Sequence, residues 1–267
     1  MSFTKIERLC LILLITAIFV LSGCAGTKIK PGMNTDEYFK KAEAAFKKKK
    51  WDSAIDNFNM VLLNSPGGEL ADDAQYYLGE CYFNKKEYLL AVSEFQQLTE
   101  RYSYSPLVEE SYYKIALSYF EQSPKYPLEQ ASTLRALQNF QDFIDAYPAS
   151  ELRMQAEEKI GKIRNKLARK VYESGKLYRK MEEWRSAVFY LDKMLEEFYD
   201  TDWAIPAILE KAHCYIKLRQ FDEYKSIVSN IRKSEQSPEV VERLHYLNRL
   251  YAKEQFKIAK EKKKLPK

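Results

Sequence analysis

Apolar residues recur at helical spacing along most of the chain, and short polar turns separate the apolar segments. Leu78 and Gly79 are followed by Tyr82 and, after a polar turn, by Ala91 and Phe95. This spacing predicts two packed helices, because the small residue lets the second helix approach and the aromatic rings fill the remaining gap. One such pair cannot bury its own apolar face, so the pattern also predicts neighbouring pairs stacked beside it.

The same pattern returns at a step of 37 residues. Gly79 corresponds to Ala42 in one direction and to Ala116 in the other, and Gly175 corresponds to Ala212. A tetratricopeptide repeat has about 34 residues, so the step indicates this unit with about three additional turn residues. We predict an all-α, right-handed solenoid of about five tetratricopeptide helix pairs over residues 35–262. A helix with one apolar stripe and one charged face, at about 239–262, is expected to cap it, followed by a basic tail at 263–267.

Two repeats depart from the pattern. In the third repeat, a proline-broken segment at 123–127 delays the second helix by eight residues, because Ala116 and Ala136 are 20 positions apart instead of 12. Long loops inside compact arrays are uncommon and are often functional. In the fifth repeat Tyr224 occupies the position of the small residue, so we expect different packing there.

The amino terminus has the composition of an export signal. Basic residues precede an apolar run at 9–20, which is shorter than the roughly 20 residues that span a bilayer as a helix. The segment Leu21-Ser22-Gly23-Cys24 resembles a bacterial lipobox. This resemblance implies that residues 1–23 are cleaved, that Cys24 carries the lipid, and that residues 24–34 form a tether. An ordinary signal cleaved near Ala25 remains the alternative.

Composition and charge favour a protein-binding scaffold over an enzyme or a nucleic-acid-binding protein. The net charge is only +5, and acidic and basic residues alternate along most helices, so we expect no nucleic-acid partner. We find no phosphate loop, nucleophile elbow or zinc-type cysteine pair, and we predict no cofactor and no metal. Cys81 and Cys214 are three repeats apart and are expected to be buried thiols. Two Glu-x-x-His pairs, Glu210 with His213 and Glu242 with His245, leave a metal-dependent enzyme as an alternative.

Aromatic residues recur where this repeat usually faces its concave groove. One row lies three positions before the small residue and another lies four positions after it. The first row is Phe39, Tyr76 and Tyr113, and the second is Phe46, Phe83 and Phe120. We predict that the rows bind an extended partner segment with aromatic side chains; packing between repeats is the alternative. In the fourth repeat these positions are Tyr172 and Arg179, which indicates a different partner for the C-terminal half.

The order of these features resembles the BamD/ComL family, the lipoproteins of the outer-membrane β-barrel assembly machinery. The resemblance depends on the lipobox, the broken segment at 123–127, the Tyr-Pro-Ala-Ser turn at 147–150 and the long helix that contains residues 175–178. The fourth turn departs from it, because residues 198–201 lack the expected Tyr-Pro.

The resemblance implies a lipid-anchored protein on the periplasmic face of the outer membrane. The C-terminal repeats would bind periplasmic domains of BamA within a complex that contains other assembly subunits. The N-terminal repeats would receive the C-terminal segment of unfolded outer-membrane β-barrel proteins. Another repeat lipoprotein, acting in pilus assembly or cell-wall coordination, would share the anchor and the fold and remains an alternative.

Overall fold

The computed structural model describes residues 34–234 and 237–264, and within them it contains eleven α-helices and no strands. The helices are α1 (Thr35–Lys47), α2 (Trp51–Asn64), α3 (Ala71–Asn84), α4 (Tyr88–Arg101), α5 (Val108–Gln122), α6 (Ala131–Ala146), α7 (Arg153–Lys180), α8 (Trp184–Phe198), α9 (Ala204–Lys217), α10 (Phe221–Ser234) and α11 (Pro238–Lys264). In that part of the chain no helix is both long enough and apolar enough to cross a membrane.

The helices form five successive pairs, and α11 follows the last pair. Each helix from α1 to α9 packs on the next, and α11 packs on α9. The predicted tetratricopeptide solenoid with a terminal capping helix is therefore confirmed. The signal segment and all but the last residue of the tether lie outside the described residues.

Four of the five turns within the pairs share one backbone geometry. Lys49, Lys86, Glu182 and Arg219 all have positive φ values between 56° and 64°. After each of them an amide N–H reaches back to the end of the preceding helix, as from Glu87 to the Tyr82 carbonyl at 2.9 Å. Such left-handed caps satisfy carbonyl groups that a helix end leaves unpaired. The equivalent turn of the third repeat, between α5 and α6, has a different form.

Small residues sit where the two helices of a pair come closest. A Cβ atom on Gly79 would lie 2.5 Å from the ring of Phe95, and one on Gly175 would lie 2.9 Å from Leu191. Ala42, Ala116 and Ala212, the equivalents of these glycines, are fully buried. These contacts explain why the sequence repeats a small residue at this position.

Within residues 34–234 and 237–264, the core consists of four successive apolar clusters instead of one centre. They are centred on α1–α3, on α3–α5, on α5–α9 and on α9–α11. Successive clusters share helices, so each repeat is stabilised by its neighbours, as expected for a solenoid. Cys81 and Cys214 lie in this interior as free thiols, and burial raises the pKa of each to about 12.

The inserted segment of the third repeat is held by a buried glutamine. The side-chain amide of Gln130 donates hydrogen bonds to the carbonyls of Lys125 at 2.9 Å and Leu128 at 2.8 Å. From α7, Lys166 donates to the Ser123 hydroxyl at 2.6 Å and Lys170 donates to the Leu128 carbonyl at 2.8 Å. The segment is therefore an ordered part of the array that rests on α7.

The fifth repeat packs differently, as its sequence predicts. Tyr224 is buried, its ring stacks on Tyr251 of α11 at 5.1 Å, and its hydroxyl donates a hydrogen bond to Asn248 at 2.8 Å. The large residue on α10 thus attaches the capping helix to the last pair.

Candidate partner-binding surfaces

The tyrosines of the predicted aromatic rows are buried between helices. Tyr76, Tyr113 and Tyr172 are only 6–8% exposed. Tyr76 packs against Phe95 at 5.6 Å, and Tyr172 packs against Trp203 at 5.0 Å. Tyr113 packs against two phenylalanines of α6, each at 5.7 Å. The interpretation of these tyrosines as an open stripe is therefore wrong, because helix packing within and between repeats already covers most of each ring.

The four phenylalanines of these rows are half-buried and keep part of their rings at the surface. Phe39 packs on Phe58, and Phe46 packs on both Trp51 and Tyr77. Phe83 packs on Tyr88 at 5.4 Å, and Phe120 packs on Phe140 at 6.5 Å. Their partner-binding role stays a prediction, although the structure leaves ring surface available for it.

Phe83 and the edge of Tyr113 line a cleft of about 520 Å³ between α3, α5 and α7. This volume falls in the range of protein clefts that bind small ligands or a few side chains. The apolar part of the lining is Phe83, Tyr88, Tyr113, Leu117 and Leu152, and the polar part is Glu110, Lys114, Glu121, Gln155 and Lys159. The rows thus contribute to one bounded cleft in the middle of the array instead of a continuous stripe.

The basic residues around this cleft differ in how they are neutralised. Lys114 lies 2.6 Å from Glu80 in an ion pair and also lies over the ring of Phe83. Lys159 lies 4.4 Å from the ring centroid of Phe120, and no carboxylate of the described chain lies within ion-pair distance of it. Lys166 also faces Phe120, and burial lowers its pKa. An apolar side chain in the cleft would therefore have the cation of Lys159 beside it, in a lining that also contains the carboxylates of Glu110 and Glu121.

In the C-terminal half, Glu210 joins three helices through two ion pairs. Its carboxylate lies 2.5 Å from Arg179 of α7 and 3.2 Å from Arg243 of α11. Arg179 is thus a half-buried member of a structural ion-pair network, and its partner-binding role stays a prediction. The local spacing could not show this, because Arg243 lies 64 positions further along the chain. Beside the pair, Tyr172, Glu210 and Arg243 line a second cleft of about 480 Å³.

His213 is buried next to this charge cluster. Its ring stacks between Trp184 at 5.9 Å and Tyr246 at 6.1 Å. Burial, with the nearby Arg179, Arg243 and Lys217, lowers the pKa of His213 to about 4. The imidazole is therefore neutral at physiological pH.

The two Glu-x-x-His pairs do not face each other. Glu210 is held by arginines in the interior, whereas Glu242 and His245 are exposed on α11. Over residues 34–234 and 237–264 there is no group of three or more histidine, cysteine or carboxylate side chains arranged for a metal. The geometry gives no support to the metal-dependent alternative.

Sequence reasoning missed three exposed apolar side chains of the fourth repeat, Leu177, Met181 and Phe189, which we together call the apolar patch. These side chains are 55%, 60% and 65% exposed. Beside them, the rings of Tyr178 and Tyr190 stack at 4.9 Å.

Leu177 is exposed at a position that is buried in other repeats. The position of Leu177 corresponds to Cys81, Ser118 and Cys214 in other repeats, and all three are buried. The inserted segment contacts α7 as far as Lys170, about two turns before Leu177. The delayed start of α6 was the signal in the sequence that could have predicted this uncovered face.

The model of the family described as "YfiO: Outer membrane lipoprotein" matches residues 31–219, which is more than half of the chain. The chain belongs to the YfiO family of outer membrane lipoproteins. The match runs from the residues just before α1 to the turn after α9, so it contains the central cleft, the apolar patch and Glu210. All of α10 and α11 lie beyond it, and Cys24 lies before it and outside the described residues.

Two relatives of this YfiO-family chain carry the name "Outer membrane protein assembly factor BamD". The one from Caulobacter vibrioides is 24% identical over 210 residues, which is 77% of this chain and 69% of the relative. The one from Rickettsia prowazekii is 23% identical over 182 residues, which is 68% of this chain and 72% of the relative.

Solved tetratricopeptide structures are more distant from the YfiO-family chain. The TPR domain of P58(IPK) is 13% identical, covers 95% of this chain and 72% of its own, and has a TM-score of 0.42. The TPR2AB domain of yeast Sti1, in its pHSP90 complex, is 14% identical, covers 83% and 98%, and has a TM-score of 0.40. These likenesses are too distant to add to the fold described above.

Proposed function

We propose that this YfiO-family protein is a non-catalytic scaffold of the outer-membrane β-barrel assembly machinery. It would bind the periplasmic domains of a BamA-type barrel subunit and unfolded outer-membrane proteins. The family match over α1–α9, together with two relatives named as assembly factors, is the observation that carries the proposal. The two surfaces described above would offer separate places for the two kinds of partner.

The central cleft is our proposed site for the unfolded substrate. Phe83, Tyr88 and Leu117 offer apolar surface to an aromatic side chain. Lys159, which has no ion-pair partner in the described part of the chain, lies at the same cleft and would attract a carboxylate at the end of a substrate segment. An extended segment that ends in an aromatic residue meets both requirements, because one pocket and one charge are enough to orient it.

A peptide-binding experiment tests this site. The peptide is the C-terminal segment of an outer-membrane β-barrel protein that ends in an aromatic residue. Phe83→Ala should weaken its binding about tenfold, which corresponds to about 1.4 kcal/mol. Leu89→Ala, an exposed change on α4 outside the cleft lining, is the matched control and should leave affinity unchanged. Unaltered binding by a folded Phe83→Ala protein would refute the assignment.

The exposed apolar patch on α7 and α8 is our proposed site for the barrel subunit. Apolar surface of this kind is found at protein interfaces, where large buried side chains contribute most of the binding energy. Met181→Asp with Phe189→Asp should abolish co-purification of a BamA-type protein from native membranes but preserve peptide binding. Leu63→Asp, at an exposed leucine of α2, is the control. Recovery of pilus-assembly or cell-wall proteins by the unaltered chain would refute the machinery assignment and favour the adaptor alternative.

We also propose that Cys24 is lipidated and anchors the protein to the periplasmic face of the outer membrane. The lipobox resemblance and the family of outer membrane lipoproteins support this assignment. The mature protein should begin at Cys24 with an added acyl mass, which intact-protein mass spectrometry measures. A mature chain that begins at Ala25 without acyl mass would show that the ordinary signal, not the lipobox, is used.

A further inference from the structure

The last helix, α11, has two faces of opposite character. Its inner face packs on the preceding pair through Leu244 and Leu247, which are buried. Further along this face, Glu254 lies 3.4 Å from Lys217 and Glu261 lies 3.0 Å from Arg219. The acidic residues of the C-terminal part of α11 are therefore directed to basic residues on and just after α9.

On the outer face of α11, the charged residues between 249 and 263 are all cations, and one aromatic ring lies among them. Arg249, Lys253, Phe256, Lys260 and Lys263 follow one another at steps of three or four positions, so they share one side of the helix. All five are exposed, and the phenylalanine is 71% exposed. Lys257 lies on the same side but also contacts Glu254 at 2.9 Å. Ion pairs thus neutralise the inner face and leave a net positive charge outside.

This arrangement differs from an ordinary solvated helix face. On such a face acidic and basic residues alternate, and a large apolar side chain among the charges would contact only water and would not stabilise the helix. A row of lysines around an exposed aromatic residue is typical of helices that lie on anionic membranes, where the charges bind headgroups and the ring enters the interface. The feature lies beyond residues 31–219, which the family model matches.

We propose that the outer face of α11, defined by Arg249, Lys253, Phe256, Lys260 and Lys263, binds the anionic phospholipid headgroups of the membrane that holds the anchor. This inference rests on the proposed function, because it requires the protein to be at a membrane. The lipid anchor precedes α1 and this face is on the last helix, so the solenoid would be attached at both ends. Anionic phospholipid is complementary to the face in charge and, through its acyl boundary, to the ring.

The experiment uses the full lipidated protein in two kinds of vesicle, phosphatidylcholine alone and phosphatidylcholine with phosphatidylglycerol. Flotation first measures whether the anchor holds the protein on both, so a failure of the anchor is distinguished from a failure of the helix face. The reactivity of each lysine toward an acetylating reagent is then measured by mass spectrometry at low and high salt. Lys47 and Lys48, exposed in the first turn, serve as reference lysines.

We expect Lys253, Lys260 and Lys263 to react several-fold more slowly on vesicles with phosphatidylglycerol at low salt, and to recover at high salt because salt screens the attraction. The reference lysines should react equally on both vesicles. No protection, or equal protection of the reference lysines, would overturn the proposal. Protection that appears only when native membrane proteins are added would also overturn it and assign the face to an acidic protein.

Charge reversal provides the matched comparison. In Lys253→Glu with Lys260→Glu, the protection of Lys263 should be lost, because the remaining cations no longer outweigh the added carboxylates. Lys47→Glu with Lys48→Glu makes the same change in net charge elsewhere and should leave that protection intact. Loss of protection in both double variants would show that net charge, not this face, is responsible.

Discussion

Replacing Gly79 by alanine tests the packing rule on which the whole array depends. The added Cβ would lie 2.5, 2.7 and 2.8 Å from three ring atoms of Phe95. Ordinary contacts of such atoms are about 3.5–4.0 Å. The ring is fully buried, so it cannot swing into solvent to relieve the overlap, and α3 and α4 would have to separate.

Two opposing effects determine the size of the change. Alanine favours a helix over glycine by about 1 kcal/mol. Overpacking of a filled core costs about 1–3 kcal/mol, and three close contacts with an immobile ring place this site in the upper part of that range. We therefore expect Gly79→Ala to lower the free energy of unfolding by about 1–2 kcal/mol.

Urea unfolding followed by circular dichroism measures this difference, and hydrogen exchange at α3 and α4 shows whether the loss is local, as a solenoid permits. Gly161→Ala is the control, because it lies on α7 with no atom near its added Cβ and should raise stability by about 1 kcal/mol. Adding Phe95→Leu to Gly79→Ala should relieve the overlap. If Gly79→Ala stabilises the protein as much as Gly161→Ala does, the close-approach argument is refuted.

Two further predictions concern buried polar groups. The pKa of His213 is lowered to about 4 in the folded protein, so the unfolded chain binds a proton at this residue more readily. The stabilisation that neutral His213 gives to the folded state is therefore fully present above pH 6.5, the ordinary pKa of histidine. It is lost as the pH falls toward 4. Over that pH range the free energy of unfolding should drop by on the order of 2 kcal/mol more in the wild type than in His213→Gln. The control His245→Gln, at an exposed site, should follow the wild type. Equal curves of unfolding free energy against pH for all three proteins would contradict the assignment. Gln130→Ala should lower stability by about 1–2 kcal/mol and speed amide exchange across residues 123–130, because carbonyls that its amide satisfies lose their donor. Gln138→Ala, on an exposed part of α6, should do neither, and unchanged exchange in Gln130→Ala would show that the segment is held by other contacts.

The repeat pattern predicted the helix pairs but not the exposure of their side chains. The spacing of Gly79, Ala91 and Phe95 reports a packing requirement that lies within one repeat, so it could be read from local sequence. Tyr76 recurs at the same step whether it faces a groove or a neighbouring helix, and periodicity alone cannot distinguish the two. Its burial depends on how closely the next repeat approaches.

The parts that sequence could not provide depend on distant residues. Arg179 occupies a position that usually faces a groove, but it forms an ion pair with Glu210 of α9, which also pairs with Arg243 of α11. Leu177 matches buried positions in three other repeats but is exposed on α7, about two turns beyond the contact of the inserted segment with Lys170. The late start of α6 was visible in the sequence. Its effect on the exposure of Leu177 on α7 could be seen only in the three-dimensional structure.

Helix α7 has a mechanical consequence for the array. It is one unbroken helix of 28 residues, about 42 Å long, whose first half packs with the third repeat and whose second half belongs to the fourth. A continuous helix has no turn along its length at which it could flex. The central cleft and the apolar patch are therefore held at a fixed distance from each other and at a fixed angle about the axis of α7. A force applied by a partner at one surface would reach the other by rotation of a rigid rod, without bending at a loop.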